Sequence, residues 1–414
     1  MTSPSSSGCV LFRRKRGKRY ERPKLPEECR AGLSARPSGT LPVNAQQLES
    51  LLDVFWKAPD PRMKNAHYPV GSVLTLIAMA LLAGRREIAE IARFATSLTQ
   101  PQRRRLGLPL KKGTGGFHPV PGYSVFYQVL TRMDPEAFAA RLTDWLQAQG
   151  GTLPQALALD GKRIRHHIGL LTLAQQEDGA PQAVAVHDQK QDTPRCEQSA
   201  AVALLEKLPA LDGKIITADP LLCQRRQARL IVEKGGDYLF GIKGNQRRLL
   251  QEAQALDALA RHPLFADNQS GHGRVETRGL HAFPIEPLAA DFPFARALIV
   301  VRSQRTKKKS GITTTESRYY LSSSPPDQYS PQEWLNLIRE HWGGIEIRNH
   351  WRRDVLMGED RSRSRQPNLL ANLALIRNAL LSLLSERLGE QSLPQFRERF
   401  CSTPKQCLAI LAAA

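Results

Sequence analysis

The sequence predicts an α/β protein in which a helical segment of about 100 residues precedes a region of alternating strands and helices. Apolar residues recur at helical spacing between residues 45 and 148. From about residue 153, short apolar runs alternate with amphipathic stretches, the pattern of a sheet layered against helices. Two of those runs, Ala156-Leu157-Ala158-Leu159 and Lys214-Ile215-Ile216-Thr217-Ala218, end in an aspartate, Asp160 and Asp219.

Composition narrows the function classes. A chain of 414 residues, 41% hydrophobic, can bury a sizeable core and should hold two or three domains. No apolar stretch approaches the roughly 20 residues that cross a bilayer, so no membrane partner is expected and a cytoplasmic protein is the default. The six cysteines are scattered without Cys-x-x-Cys spacing, which argues against a disulfide framework and a zinc site. A formal net charge of +20 favours a polyanionic partner, most simply nucleic acid.

Residues 1–43, rich in Ser, Pro, Arg and Lys, read as a basic disordered arm. A helical domain is expected over residues 44–150. It comprises helices near 45–56, 70–82, 85–98, 124–133 and 135–148, with Ser124 and Asp134 as N-caps of the last two. The α/β part begins with the strand leading to Asp160, where Asp160-Gly161 reads either as a strand-end turn or as a ligand-bearing edge. A short strand at 183–186, a helix at 197–208, the strand leading to Asp219, a helix at 223–233 and a strand at 238–242 follow. The strand at 238–242 runs into Lys243-Gly244-Asn245-Gln246, where Lys243, Asn245 and Gln246 either bind a phosphate or terminal base or simply form a turn. Residues 271–324 are strand-rich, and helices are expected over 331–351 and 369–383. On the first of these, Leu335, Ile338, Trp342 and Ile345 share a face, which leaves Glu346 on the flank of that buried stripe.

The ordered series Leu159-Asp160-Gly161-Lys162, Thr217-Ala218-Asp219, Glu233-Lys234-Gly235-Gly236-Asp237-Tyr238, Lys243-Gly244-Asn245-Gln246, His272-Gly273-Arg274-Val275-Glu276-Thr277-Arg278, Tyr319-Tyr320-Leu321-Ser322-Ser323 and His341-Trp342-Gly343 with Ile345-Glu346 resembles the DDE transposases of bacterial insertion sequences. Within them it is most similar to the H-repeat-associated branch, and Asp60-Pro61-Arg62 and Leu82-Ala83-Gly84 extend the likeness into the helical segment. The resemblance implies a ribonuclease-H-like catalytic core over residues 151–400, with a β-rich insertion at about 255–328 before the last catalytic helix, an all-α N-terminal domain and a C-terminal tail from 401. It implies Asp160, Asp219 and Glu346 as catalytic and metal-binding carboxylates, two Mg²⁺ ions with Mn²⁺ as a substitute, and double-stranded DNA as partner, both terminal inverted repeats and target. A homodimer on DNA and a bacterial, nucleoid-associated location follow from the same likeness.

Three carboxylates supply the hard oxygen ligands that Mg²⁺ prefers, and two such ions can activate a nucleophile and stabilise a leaving oxygen. Lys162 and Arg163, next to Asp160, and Arg348, Arg352, Arg353, Arg361 and Arg363, around Glu346, are the expected DNA contacts. Gly343-Gly344 adds a residue where the branch reads His-Trp-Gly-Ile-Glu, and Glu359 or Asp360 is the alternative third carboxylate. A nuclease of the same fold and an inactive DNA-binding remnant are the competing functions.

Overall fold

A computed structural model of the chain describes residues 49–412 except 114, 151–152, 166, 189–193, 261, 286–290 and 389–390. The arm expected at residues 1–43 lies outside the described residues.

Six helices come first: α1 (Leu51–Lys57), α2 (Val70–Leu82), α3 (Ile88–Thr96), α4 (Gln100–Arg105), α5 (Tyr123–Arg132) and α6 (Pro135–Gly150). Every residue of α2 is buried, as its almost wholly apolar sequence requires, and the hydroxyls of Ser72 and Thr75 donate to Leu106 O and Gly71 O. Asp134 caps α6 through its Oδ1, which accepts from the Glu136 amide at 3.0 Å. At α5 the cap is Gly122 rather than Ser124.

The strands β1 (Ala156–Ile164), β2 (Ile168–Gln175) and β3 (Pro181–Asp188) then pair antiparallel. The helix α7 (Pro194–Lys207) crosses to β4 (Ile215–Ala218), and α8 (Arg225–Glu233) crosses to β5 (Asp237–Ile242). Both strands run parallel to β1. After α9 (Arg247–Leu259), β6 (Phe265–Gly271), β7 (Arg274–Pro284), β8 (Ala297–Lys307) and β9 (Thr313–Ser322) form an antiparallel meander, and β9 pairs with β5. The result is one nine-stranded sheet in the order β3-β2-β1-β4-β5-β9-β8-β7-β6. The strand-rich segment therefore continues the central sheet instead of standing beside it.

Alternation along the strands assigns the two faces. Leu157, Leu159, Ile216 and Phe240 pack under α7 and α8 through Leu204, Leu205, Ala228 and Ile231. Ile215, Leu239 and Ile299 face Trp334, Leu335 and Ile338 of α10 (Pro331–Trp342). A third apolar cluster joins α2, α5 and α6 to α11 (Pro367–Leu388), α12 (Leu393–Phe400) and α13 (Pro404–Ala412). Ile164, Ile168, Leu170 and Val184, from β1–β3, belong to that cluster too. The helices before and after the sheet thus share one core.

Four expectations change. Asp160-Gly161 is not a turn: β1 continues through it, with Asp160 opposite Thr172 and Gly161 opposite Leu171. The strand β2 is absent from the sequence-based expectation because its residues are buried on both faces, so it lacks the polar alternation that marks a half-exposed strand. The helix expected at 331–351 divides into α10 and a π-helix, Gly343–Leu356, that continues it directly. An i→i+5 pattern takes up more residues per turn, so the extra glycine is absorbed and the helix is not ended by it. Finally, Pro367–Ser385 is long and apolar enough to cross a membrane by composition, although Asn372, Arg377 and Asn378 interrupt the run. It is 94% buried within the fold, the placement of a core helix.

Candidate functional site

Asp160 and Asp219 lie at the same level of the sheet. The β1–β4 register pairs Ala156 with Ile215 and ends with Leu159 opposite Ala218. That offset equals the interval between the two aspartates (219 − 160), so both directly follow the last residue pair of the β1–β4 ladder, while β1 itself runs on to Ile164. Asp219 turns its Oδ1 back on the chain, where it accepts from the amides of Leu221 at 3.0 Å and Leu222 at 3.1 Å. The carboxylate is thereby fixed in orientation at the strand end.

Glu346 arrives from the π-helix. Its neighbour Ile345 is fully buried against Ala158 and Ala174, which pins this turn over β1 and β2. Gly344 permits the contact, since a Cβ there would stand 2.7 Å from both the Cα and the carbonyl oxygen of Gln176. Asn349 Nδ2 donates to Gly179 O at 3.0 Å and Arg352 Nη1 to Asp178 O at 2.9 Å, which tie the β2–β3 turn to the same helix. Glu346 itself is solvent-exposed, at the rim of the group.

A fourth carboxylate joins them. Glu197, in the first turn of α7, occupies the space beside Gly161, where an added Cβ would meet its Oε1 at 2.2 Å. Sequence reasoning placed Glu197 only at the start of an amphipathic helix. The one signal that could have found it is Gly161, a strand residue whose missing side chain leaves room for something else.

The group is electrostatically unfavourable as it stands. Burial, and then the charges of Asp219 and Glu197, push Asp160 well above the ordinary carboxylate range. Glu197 is raised to about 7, first by burial and then by Asp219. Burial also raises Asp219 and Glu346. Lys243, exposed beyond β5, partly offsets this at Asp219. Among the described residues no three His, Cys, Asp or Glu side chains are drawn together closely enough to grip a metal ion. The donors nonetheless suit a hard divalent cation, being carboxylate oxygens whose mutual repulsion a cation would relieve.

Two histidines back the site without entering an ionic pair. His341 Nδ1 lies 2.8 Å from Thr217 Oγ1, which also contacts Leu157 O at 3.1 Å. Burial lowers its pKa to about 4. His350 Nδ1 is 3.8 Å from Asp160 Oδ2, and burial holds it well below its usual value, so it faces Asp160 neutral.

The basic residues divide sharply. Lys162 is buried, with its Nζ 2.5 Å from Asp354, 3.1 Å from Asp360 and 3.5 Å from Glu359. Arg353 is fully buried against Glu359 at 2.6 Å. Both are spent on internal ion pairs, Arg353 fully buried and Lys162 nearly so, which speaks against their expected role as DNA contacts. The Glu359 alternative for the third carboxylate fails on the same pair. Burial alone would raise Glu359, but Arg353 and Lys162 hold it at about 2.

Arg348 bonds Gln176 O at 3.0 Å and pairs with Glu340, and with Arg352 it braces the β2–β3 turn. Asn245 donates to Pro220 O at 2.7 Å and Gln246 to Cys223 O at 2.8 Å, so both hold the turn after β5 against the loop carrying Asp219. Arg163, Lys243, Arg361 and Arg363 remain exposed, with Arg363 3.7 Å from Glu87.

Asp160 and Asp219 thus stand side by side where the β1–β4 pairing ends, and sequence comparison places the chain that carries them in a family. The chain belongs to the family described as transposase DDE domain, which it matches over residues 156–384. Residues 52–146 match the family described as DDE_Tnp_1-associated. The chain is 30% identical over 360 residues to YncI of Escherichia coli O157:H7, which bears the name of a transposase, covering 82% of this chain and 88% of that protein. It is 27% identical over 365 residues to YhhI of Escherichia coli K12, named an H repeat-associated transposase, covering 82% and 91%. A protein encoded 3′ of dhlA in Xanthobacter autotrophicus is 32% identical over 292 residues, covering 66% and 94%. Among solved structures, a piggyBac transposase synaptic complex with hairpin DNA aligns at TM-score 0.46 and 10% identity, over 87% of this chain and 80% of that one.

Proposed function

We propose that the protein is a DNA transposase that cuts DNA at insertion-sequence ends and joins the freed ends to target DNA. Asp160, Asp219 and Glu346 are its acidic triad. The observation that carries this reading is the shared level of Asp160 and Asp219 on adjacent parallel strands, and the packing of Ile345, next to Glu346, on β1 and β2 supports it. The order β3-β2-β1-β4-β5, antiparallel across the first three strands and parallel across the rest, supports a ribonuclease-H-like core.

The three carboxylates would hold Mg²⁺, or Mn²⁺ in its place, through oxygen ligands alone. Bound there, divalent cations supply Lewis acidity that makes water a nucleophile near neutral pH and steadies a departing oxygen. Asp219 is presented in one orientation by its two amide bonds. Lys243, beside Asp219, and Arg163, beside Glu197, offer charge to the phosphates entering the cleft. No side chain need form a covalent intermediate, because a water and then the freed 3′-hydroxyl attack in turn. The net charge of +20 supports duplex DNA as substrate, and two DNA ends to be joined call for a homodimer. A soluble, nucleoid-associated protein accords with this reading.

The test is a Mg²⁺-dependent reaction on linear DNA carrying the element's own ends, with the natural protein and Asp160→Asn. Joined products that vanish in the variant support the transposase. Cleavage without joining would identify a nuclease instead. The exposure of Glu346 favours one further reading, an inactive DNA-binding remnant, which predicts binding without cleavage.

A further inference from the structure

We propose that Glu197 is a fourth metal-holding carboxylate of this site, delivered from α7 through the gap left by Gly161. The proposal rests on the metal-dependent reading above. Along β1, Leu157 and Leu159 face α7 while Ala158 faces the π-helix, so Gly161 falls on the α7 side and Asp160 on the other. A side chain at 161 would take the place of the Glu197 carboxyl group, with its Cβ 2.2 Å from Oε1, 2.4 Å from Cδ and 2.9 Å from Oε2. Glu197 is therefore laid against the backbone of β1, one residue from Asp160 and at the sheet end occupied by Asp219.

The same helix displays the ordinary alternative. Glu206 is exposed and pairs with Arg226 at 2.8 Å. A glutamate in the first turn of a helix could point outward in the same way, yet Glu197 is turned toward two other acids. Arg163 offsets only part of that repulsion, and a cation shared among the acids would relieve the rest. Gly161 then has a definite purpose, as the cradle for a ligand from the opposite face of the sheet.

The experiment is calorimetric titration of the full chain with Mn²⁺, alongside the unfolding temperature in metal-free buffer. Glu197→Gln is expected to weaken Mn²⁺ binding about tenfold or more, and Gly161→Ala to act in the same direction by displacing the carboxylate. Metal-free Glu197→Gln should unfold at or above the temperature of the natural protein, because one like charge has gone. Glu206→Gln should change neither quantity. If Asp160→Asn weakens binding while Glu197→Gln does not, Glu197 lies outside the set and the proposal fails with the metal reading intact. If Asp160→Asn leaves Mn²⁺ binding unchanged, both fail. A lower metal-free unfolding temperature with unaltered Mn²⁺ affinity would mark Glu197 as a structural partner of Arg163 and overturn the proposal.

Discussion

Replacing Gly344 by alanine should damage the protein far more than the same change at Gly343, although the two glycines are adjacent in one helix. At Gly344 the new methyl group would lie 2.7 Å from the Cα and carbonyl oxygen of Gln176 and 3.1 Å from the carbonyl oxygen of Gln175. These are backbone atoms at the end of β2 and cannot rotate away. The π-helix must lift off the sheet, at a cost of about 1–3 kcal/mol for an overpacked contact. At Gly343 the neighbours are Glu340 Oε2 at 2.8 Å and Arg348 Nη1 at 3.1 Å, the ends of two flexible side chains that pair with each other. Those ends can move aside, and alanine in a helix regains about 0.5–1 kcal/mol over glycine. Gly343→Ala should therefore be neutral or slightly stabilising. Urea unfolding followed by tryptophan fluorescence measures both variants, and DNA cleavage by Gly344→Ala should fall as Glu346 is displaced. Equal stability of Gly344→Ala and the natural protein, or equal damage at both positions, would refute the claim that Gly344 seats the helix.

Other outcomes follow from the buried charges and the tryptophans. Glu359→Gln leaves the fully buried Arg353 unpaired and should cost about 3–5 kcal/mol in urea unfolding. In metal-free buffer, Glu197, raised from 4.5 to about 7, contributes stability that is complete below about 4.5 and lost as pH rises through about 7. Glu359, held at about 2, contributes stability present above its ordinary value and lost as pH falls toward 2. The metal-free unfolding temperature should thus decline on both sides of mildly acidic pH, and added Mn²⁺ should remove only the decline toward neutral pH. Trp334→Ala, at a fully buried position, should cost about 3–5 kcal/mol, whereas Trp351→Ala, 49% exposed, should stay within about 0.5 kcal/mol in the same denaturation series.

How far the sequence could be read depended on the kind of signal each feature leaves. The strands leading to Asp160 and Asp219 were legible because apolar runs ending in an acid are local patterns, whereas the register that sets the two side by side came only with the pairing itself. The helix α2 was legible from its almost wholly apolar run. The strand β2 was not, because a doubly buried strand carries no alternation. The π-helix escaped because periodicity arguments assume one turn length, and Gly343-Gly344 reads as a weakness until the backbone of Gln176 is seen against it. Lys162 and Arg353 were misread because a cation beside an acidic site in sequence can be an inward ion-pair partner, and only burial tells the two apart. Glu197 depends on the close approach of α7 to Gly161 of β1, which no local pattern encodes.

The most direct measurement is anomalous diffraction from crystals grown with Mn²⁺. Mn²⁺ is expected where the β1–β4 pairing ends, bound by Asp160 and Asp219, with the exposed Glu346 drawn in from the rim. Mn²⁺ bound elsewhere, or an acidic cleft that stays empty while Glu346 keeps its exposed position at saturating Mn²⁺, would contradict that expectation.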